Sequence, residues 1–253
     1  MGNRQKWLLV IAGGAAFGVS LLAHLPAQLV LPKSAGKFQF SGIGGSIWRG
    51  RVEQVSFYGQ PLPVQELNWS VSPAALLLGK LKADFHEKQA PNNRGSADWN
   101  LFSRQLELHA LHWQLPAESF DPWTAWSGVR SQGQFILDLQ SLTLPPGESF
   151  PSQLTGRLEW PNAVLQANSE YWPIGSPAMQ LSDEGDAIRG IVTNTQPTLP
   201  GNGSVQCTQR NCRVTLSVQP TLDAPQSVLN ALRLMGFQQS GNTFSGEISV
   251  PLE

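Results

Sequence analysis

Glu66–His86, ELNWSVSPAALLLGKLKADFH, reads as two half-buried strands joined by one short helical stretch. Leu67, Trp69 and Val71 alternate with Glu66, Asn68 and Ser70, and Leu81, Ala83 and Phe85 alternate with Lys80, Lys82, Asp84 and His86. Period two puts one set on a core and the other toward water or a partner. Between them Ser72 takes a helix-capping position, Pro73 the first helical position and Gly79 the stop. The same alternation recurs at Leu106, Leu108 and Ala110, at Phe135, Leu137 and Leu139, and at Phe244, Gly246, Ile248 and Val250. Turn residues separate these runs, as in Tyr58-Gly59-Gln60-Pro61 and Pro145-Pro146-Gly147. A second helix is expected over residues 225–235, with Val228, Ala231, Leu232 and Met235 on one stripe and Gly236 ending it. A third, looser one falls near Ala117–Trp126. The chain is therefore expected to be mainly β.

Composition agrees. Of 253 residues, 41% are hydrophobic, enough for a core. Glycine (24) and proline (19) are abundant, which suits many turns and short strands better than a helical bundle. Only 14% are charged, with a net charge of −1, and so weak a cationic field argues against nucleic acid as a partner.

The front of the chain has a different character. Trp7–Leu25, WLLVIAGGAAFGVSLLAHL, is nineteen residues without Asp, Glu, Lys or Arg. As a helix it would span about 28 Å, close to the hydrocarbon thickness of a bilayer. Arg4 and Lys6 precede it, so the positive-inside rule leaves residues 1–6 in the cytoplasm and sends residues 26–253 across. A cleaved secretory signal is the alternative. Length favours the uncleaved anchor, and Ala23–Gln28 offers no clean pair of small residues for a peptidase.

Both cysteines lie in GSVQCTQRNCRVTLSV, residues 203–218. Two buried thiols would fit that spacing, but the alternation favours a bridge. Folding about Thr208-Gln209-Arg210-Asn211 sets Cys207 opposite Cys212 and Val205 opposite Val214, near the separation a disulfide needs. A disulfide agrees with an oxidising compartment such as a bacterial periplasm.

One long-range similarity runs along the chain. Trp48, Tyr58 and Leu67 are echoed by Trp160, Tyr171 and Leu181, with offsets of 10 and 9 residues against 11 and 10. Duplication and chance both account for it. Duplication would give related β-units over 38–144 and 152–253, joined at the Pro-rich stretch Leu142–Pro151 and sharing one sheet.

Sequence signals for chemistry are thin. His109 and His112 resemble a metal pair, but in a regular strand an offset of three sends them to opposite faces. There is no G-x-S-x-G motif. Asp183-Glu184-Gly185-Asp186 lacks the alternating ligands of a calcium loop and reads as a solvated turn. No catalytic residue, metal site or cofactor is expected. Eight Trp follow Trp7. Core filling suits Trp69. Trp123 and Trp126, in SFDPWTAWSG, fit either core packing or contact with a partner.

The order of these features resembles the type II secretion system protein N family. The resemblance rests on LPAQLVLP, SGIGGSIWRGRVEQVSF, LNWSVSPAALLLGKLKADF and the late cysteine pair, and spans essentially the whole chain. It implies a single-pass inner-membrane protein with a cytoplasmic N-terminus and a periplasmic domain. By that resemblance the protein is a non-enzymatic accessory part of the machine that moves folded periplasmic proteins through an outer-membrane secretin. The implied partners are other inner-membrane secretion proteins and the secretin, besides the bilayer around the N-terminal helix. The family is also similar to AsmA-like envelope proteins, which implies a curved antiparallel sheet with two or three short helices. It also offers a rival function, lipid binding or transfer in an apolar groove.

Overall fold

The computed structural model describes residues 24–30, 33–35, 38–57, 59–124, 128–148, 150–167, 169–195, 199–222, 224–234 and 236–251. The expected anchor, Trp7–Leu25, lies outside them except for His24 and Leu25. Among the described residues no helix is long and apolar enough to cross a membrane. The chain divides into two compact units, residues 1–91 and 92–253. Both are built on antiparallel sheet, as the alternation predicts.

The first unit begins with a helical turn, α1 (Ala27–Val30), and the short strands β1 (Ser34–Ala35), β2 (Phe38–Ser41) and β3 (Gly44–Gly45). Three longer strands follow: β4 (Arg49–Phe57), β5 (Gln60–Ser72) and β6 (Lys80–Glu87). They run side by side in the order β1-β2-β4-β5-β6, with β3 also on β4. One face carries the cross-strand rows Gly50–Trp69–Phe85 and Val71–Ala83, and the buried core includes Val52, Val55 and Val64. Glu87, 4% exposed, closes the row Val52–Leu67–Glu87 and accepts a 2.7 Å bond from the Gln65 amide. The opposite face is polar, with Arg49 beside Ser70 and Asp84, and Arg51 beside Asn68 and His86. The expected helix between β5 and β6 shrinks to one turn, α2 (Pro73–Leu76). Ser72 precedes it without a side-chain capping bond. Three more residues complete the turn, ending at Gly79 with φ +69°, a conformation glycine adopts without strain.

The second unit holds β7 (Arg94–Asn100), β8 (Leu106–Pro116), β9 (Val129–Gln132), β10 (Gln134–Leu144), β11 (Gln153–Glu159), β12 (Ala163–Ala167) and β13 (Glu170–Gly175). It continues with β14 (Ala178–Glu184), β15 (Ala187–Asn194), β16 (Gly201–Cys207), β17 (Asn211–Val218), β18 (Gln238–Ser240) and β19 (Thr243–Pro251). Ten of these form one sheet in the order β7-β8-β10-β11-β14-β15-β16-β17-β19-β18, and β13-β12-β9 form a second. The Pro-rich stretch joins β10 to its sheet neighbour β11. The expected third helix appears as a 3₁₀ turn (Ala117–Phe120) and α3 (Asp121–Thr124), and the expected C-terminal helix as α4 (Gln226–Leu234).

Register makes the large sheet two-sided. One row crosses it as Leu111, Leu139, Gly156, Leu181, Gly190, Val205, Val214 and Ile248. The parallel row on the other face reads His112, Asp138, Arg157, Gln180, Ile191, Ser204, Thr215 and Glu247. On the apolar face Leu139, Leu154 and Ile188 are buried, with Leu111, Leu142 and Cys207 against them. Nearer the C-terminus α4 covers the same face, packing Leu232 with Phe237, Phe244 and Leu216. The small sheet adds Ala163, Trp172 and Ile174. Asn194 ties the two sheets, its Nδ2 donating to the Ile174 and Leu199 carbonyls at 2.6 and 2.8 Å.

The separation of His109 from His112 onto opposite faces does not occur. Ala110 has φ +48°, and β8 gains one residue relative to β7 between His112 and His109. A matching bulge in β10 lies between Leu139 and Ser141. An extra residue resets the alternation. Leu108 and Leu111 therefore share the apolar face, while His109, opposite Ser141, and His112, opposite Asp138, share the polar one.

Candidate functional site

Four local arrangements offer themselves as contact or reaction sites. The first is the glycine-rich hairpin of the first unit. Ser46 Oγ accepts from the Arg49 amide at 3.2 Å and closes the turn between β3 and β4. Gly50 lies beneath the Trp69 ring, and a Cβ there would sit 2.2 Å from Trp69 Cζ2. The indole Nε1 donates to the Ile47 carbonyl at 3.2 Å. Trp69 therefore fills structure, as its place in an alternating strand indicated. Of the glycines of SGIGGSIWRG, Gly50 serves this close approach, while Gly42 lies against Glu53 and Gly45 against the Arg49–Gly50 backbone. An open groove of about 550 Å³ borders the hairpin, lined by Arg49, Arg51, Asn68, Ser70 and His86 among others.

The second is the cysteine hairpin. Cys207 and Cys212 form a disulfide, with Cα atoms 4.0 Å apart. The register is the expected one, Cys207 opposite Cys212 and Val205 opposite Val214. Thr208 Oγ1 accepts from the Asn211 amide at 3.3 Å and tightens the loop. Gln209 reaches across to Glu148, 2.9 Å away, and this turn, the Gly185-Asp186 turn and Phe150–Ser152 line a shallow cleft.

The third is the histidine pair. His112 Nδ1 contacts Asp138 Oδ1 at 2.5 Å and its Nε2 contacts Gln114 Nε2 at 3.1 Å. His109 Nε2 lies 3.4 Å from Glu107. Asp138 and Gln114 thus engage both ring nitrogens of His112. Among the described residues no group of three His, Cys, Asp or Glu converges as a metal site. A His–Asp contact was not foreseen. Its signal was in the sequence, in the doubled apolar residues Ala110-Leu111 and the doubled polar residues Gln140-Ser141, which interrupt two alternating runs and mark the bulges.

The fourth is the outer edge of the large sheet. β18 pairs only with Thr243–Ser245 of β19, so Gly246–Pro251 has β17 on one side and, among the described residues, no strand on the other. Glu247, Ile248 and Ser249 are exposed there. Trp123 is in α3, whose Asp121 carboxylate accepts from the Ser131 amide of β9 at 2.8 Å. The Trp123 side chain and the whole of Trp126 lie outside the described residues.

Residues 37–245 match the family described as Type II secretion system (T2SS), protein N. The chain belongs to that family. The matched span runs from β2 into β19 and ends at Ser245, just before the open edge at Gly246–Pro251. It is 29% identical over 207 residues to the type II secretion system protein N of Vibrio cholerae serotype O1, covering 79% of this chain and 76% of that one. It is 26% identical over 187 residues to the protein of the same name from Aeromonas hydrophila, covering 71% of each. No solved structure matches the chain. Membership in the protein N family puts the chain among type II secretion proteins, and it directs attention to surfaces more than to side-chain chemistry.

Proposed function

We propose that this chain is a non-enzymatic accessory component of a type II secretion system, held in the bacterial inner membrane by residues 7–25 with residues 26–253 in the periplasm. It contributes to export of folded proteins across the outer membrane by contacting other secretion proteins, of the inner membrane and at the secretin. The observation that carries the contact mechanism is the half-open edge of β19, since a strand whose amides and carbonyls lack a neighbour is a template for strand addition. The disulfide supports an oxidising compartment. Trp123 and Trp126 are offered as aromatic contact residues because tryptophan is enriched at interface centres.

The test is in-cell photocrosslinking from Ile248, Trp123 and Trp126 in a secreting strain. Adducts with secretion proteins are expected from Ile248, and fewer when Ser249→Pro disrupts the edge beside it. No adduct at any of these positions overturns the contact mechanism.

The one-sided apolar face of the ten-stranded sheet favours a second reading, a groove that holds or passes acyl chains. Mass spectrometry of gently extracted protein separates the two: stoichiometric lipid supports the groove, and a lipid-free domain supports the scaffold.

A further inference from the structure

The point where the apolar N-terminal run ends is fixed on the first unit by hydrogen bonds. The Leu25 carbonyl accepts from the Ile47 amide at 3.0 Å, Pro26 bridges to Ser46, and Gln28 Nε2 donates to the Ile43 carbonyl at 2.7 Å. One strand further across, the Trp48 carbonyl accepts from the Val71 amide at 2.7 Å. Leu25 is thus about two strand spacings, roughly 10 Å, from the end of β5. From Val71 the chain makes the single turn α2 and reaches Leu77 and Leu78. They are 89% and 79% exposed, although they belong to the apolar run Leu76-Leu77-Leu78. Leu29, four residues past Leu25, is 76% exposed.

Cations gather at the same end of the sheet. Arg49 is at the start of β4 opposite Ser70, and Lys82 is opposite Ser72. Lys80 and Lys82 belong to the exposed face of β6. An apolar tip with basic residues behind it is the arrangement of an interfacial element, with leucine among the acyl chains and lysine or arginine among anionic headgroups. A solvated hairpin tip would be built from the Gly, Asn, Asp and Ser seen in ordinary turns, and Leu77-Leu78 is not.

We infer that the β5–β6 hairpin tip is a second membrane contact. Leu77 and Leu78 enter the outer-facing leaflet of the bilayer that residues 7–25 cross, while Arg49, Lys80 and Lys82 meet its anionic headgroups. This holds the first unit against the membrane surface instead of leaving it to swing on one tether. The inference rests on the anchor proposed above, and it commits to lipid, not to a protein groove, as the occupant.

The experiment uses the full chain in vesicles of phosphatidylethanolamine and phosphatidylglycerol. Both native cysteines are in a disulfide, so Leu78→Cys supplies a single reduced thiol for an environment-sensitive fluorophore, and Asp186→Cys in the second unit is the reference. With residues inserted about 5–10 Å below the headgroup boundary, the Leu78 probe is blue-shifted. It is quenched several-fold more by a nitroxide high on the acyl chain than the Asp186 probe is. Replacing phosphatidylglycerol with phosphatidylcholine weakens the difference. Equal quenching at the two positions overturns the inference, as does a Leu78 probe shielded only after other secretion proteins are added. Extraction with alkaline carbonate separates the failures. Release of the chain removes the anchor and this inference together, whereas retention with an unquenched Leu78 probe removes this inference alone.

Discussion

The β4–β5 hairpin of the first unit and the β16–β17 hairpin of the second solve one problem by different means. Each must fix the register of two alternating strands, because a slip of one residue exchanges core and solvent faces. In β4–β5 the lock is steric, with the Trp69 ring lying across Gly50 and its Nε1 bound to the Ile47 carbonyl. In β16–β17 it is covalent, the Cys207–Cys212 bridge across a four-residue loop. A steric lock depends on one missing Cβ and fails abruptly. A covalent lock across so short a loop constrains little of the unfolded chain and fails gently.

The largest effect is therefore expected from Gly50→Val, which drives carbon atoms into the Trp69 ring. Forcing them in should cost about 3 kcal/mol. Hydrogen exchange read strand by strand should show protection lost in β4 and β5 and kept in β16 and β17. Protection unchanged in β4 would mean the indole moves aside freely and the lock is not steric. Next in size is the paired change Cys207→Ser and Cys212→Ser. Loop-closure entropy for so short a loop puts its cost at about 2 kcal/mol. The protection pattern should reverse, with loss at β16 and β17 and none at β4 and β5. Trp69→Phe sharpens the contrast from the other side. It keeps most of the apolar ring but drops the bond to the Ile47 carbonyl, for about 1 kcal/mol.

How far the sequence disclosed these locks follows from how local each one is. The disulfide register was legible because Val205, Cys207, Cys212 and Val214 mirror one another about a turn of known length. The alternating runs at Leu67, Leu81, Leu106, Phe135 and Phe244 were legible for the same reason, since period two is a property of neighbours. The partnership of Gly50 with Trp69 was not, because it joins residues nineteen positions apart and nothing local in the glycine run says which ring will cover it. The bulges at Ala110 and Gln140 were half-legible. Both interrupt alternation with a doubled residue class, apolar at Ala110-Leu111 and polar at Gln140-Ser141, yet the sharing of one face by His109 and His112 emerges only when β8 is paired with its neighbours. Helix lengths were overestimated between β5 and β6. A capping serine and a proline start a helix as readily for one turn as for two, and the exposed Leu77 and Leu78 have no core in the structure to hold a second turn in place.

The smallest stability change belongs to that same tip, and there the smallness is the informative part. Replacing Leu77 and Leu78 together by Ser removes two of the most exposed large apolar side chains among the described residues. Side chains that touch little in the fold contribute little to it, so unfolding of the detergent-solubilised chain should move by less than about 0.5 kcal/mol. Protection in β5 and β6 should be unchanged. Natural surfaces carry scattered single leucines without purpose, but two adjacent ones at the tip of a hairpin leave a stability-neutral position with something else to explain. If the Ser pair instead destabilises β5 and β6 by as much as Trp69→Phe does, the leucines are a third lock on the hairpin and fold back onto it. If stability holds while secretion of folded cargo by living cells drops, the tip works outside the fold, as a membrane contact requires.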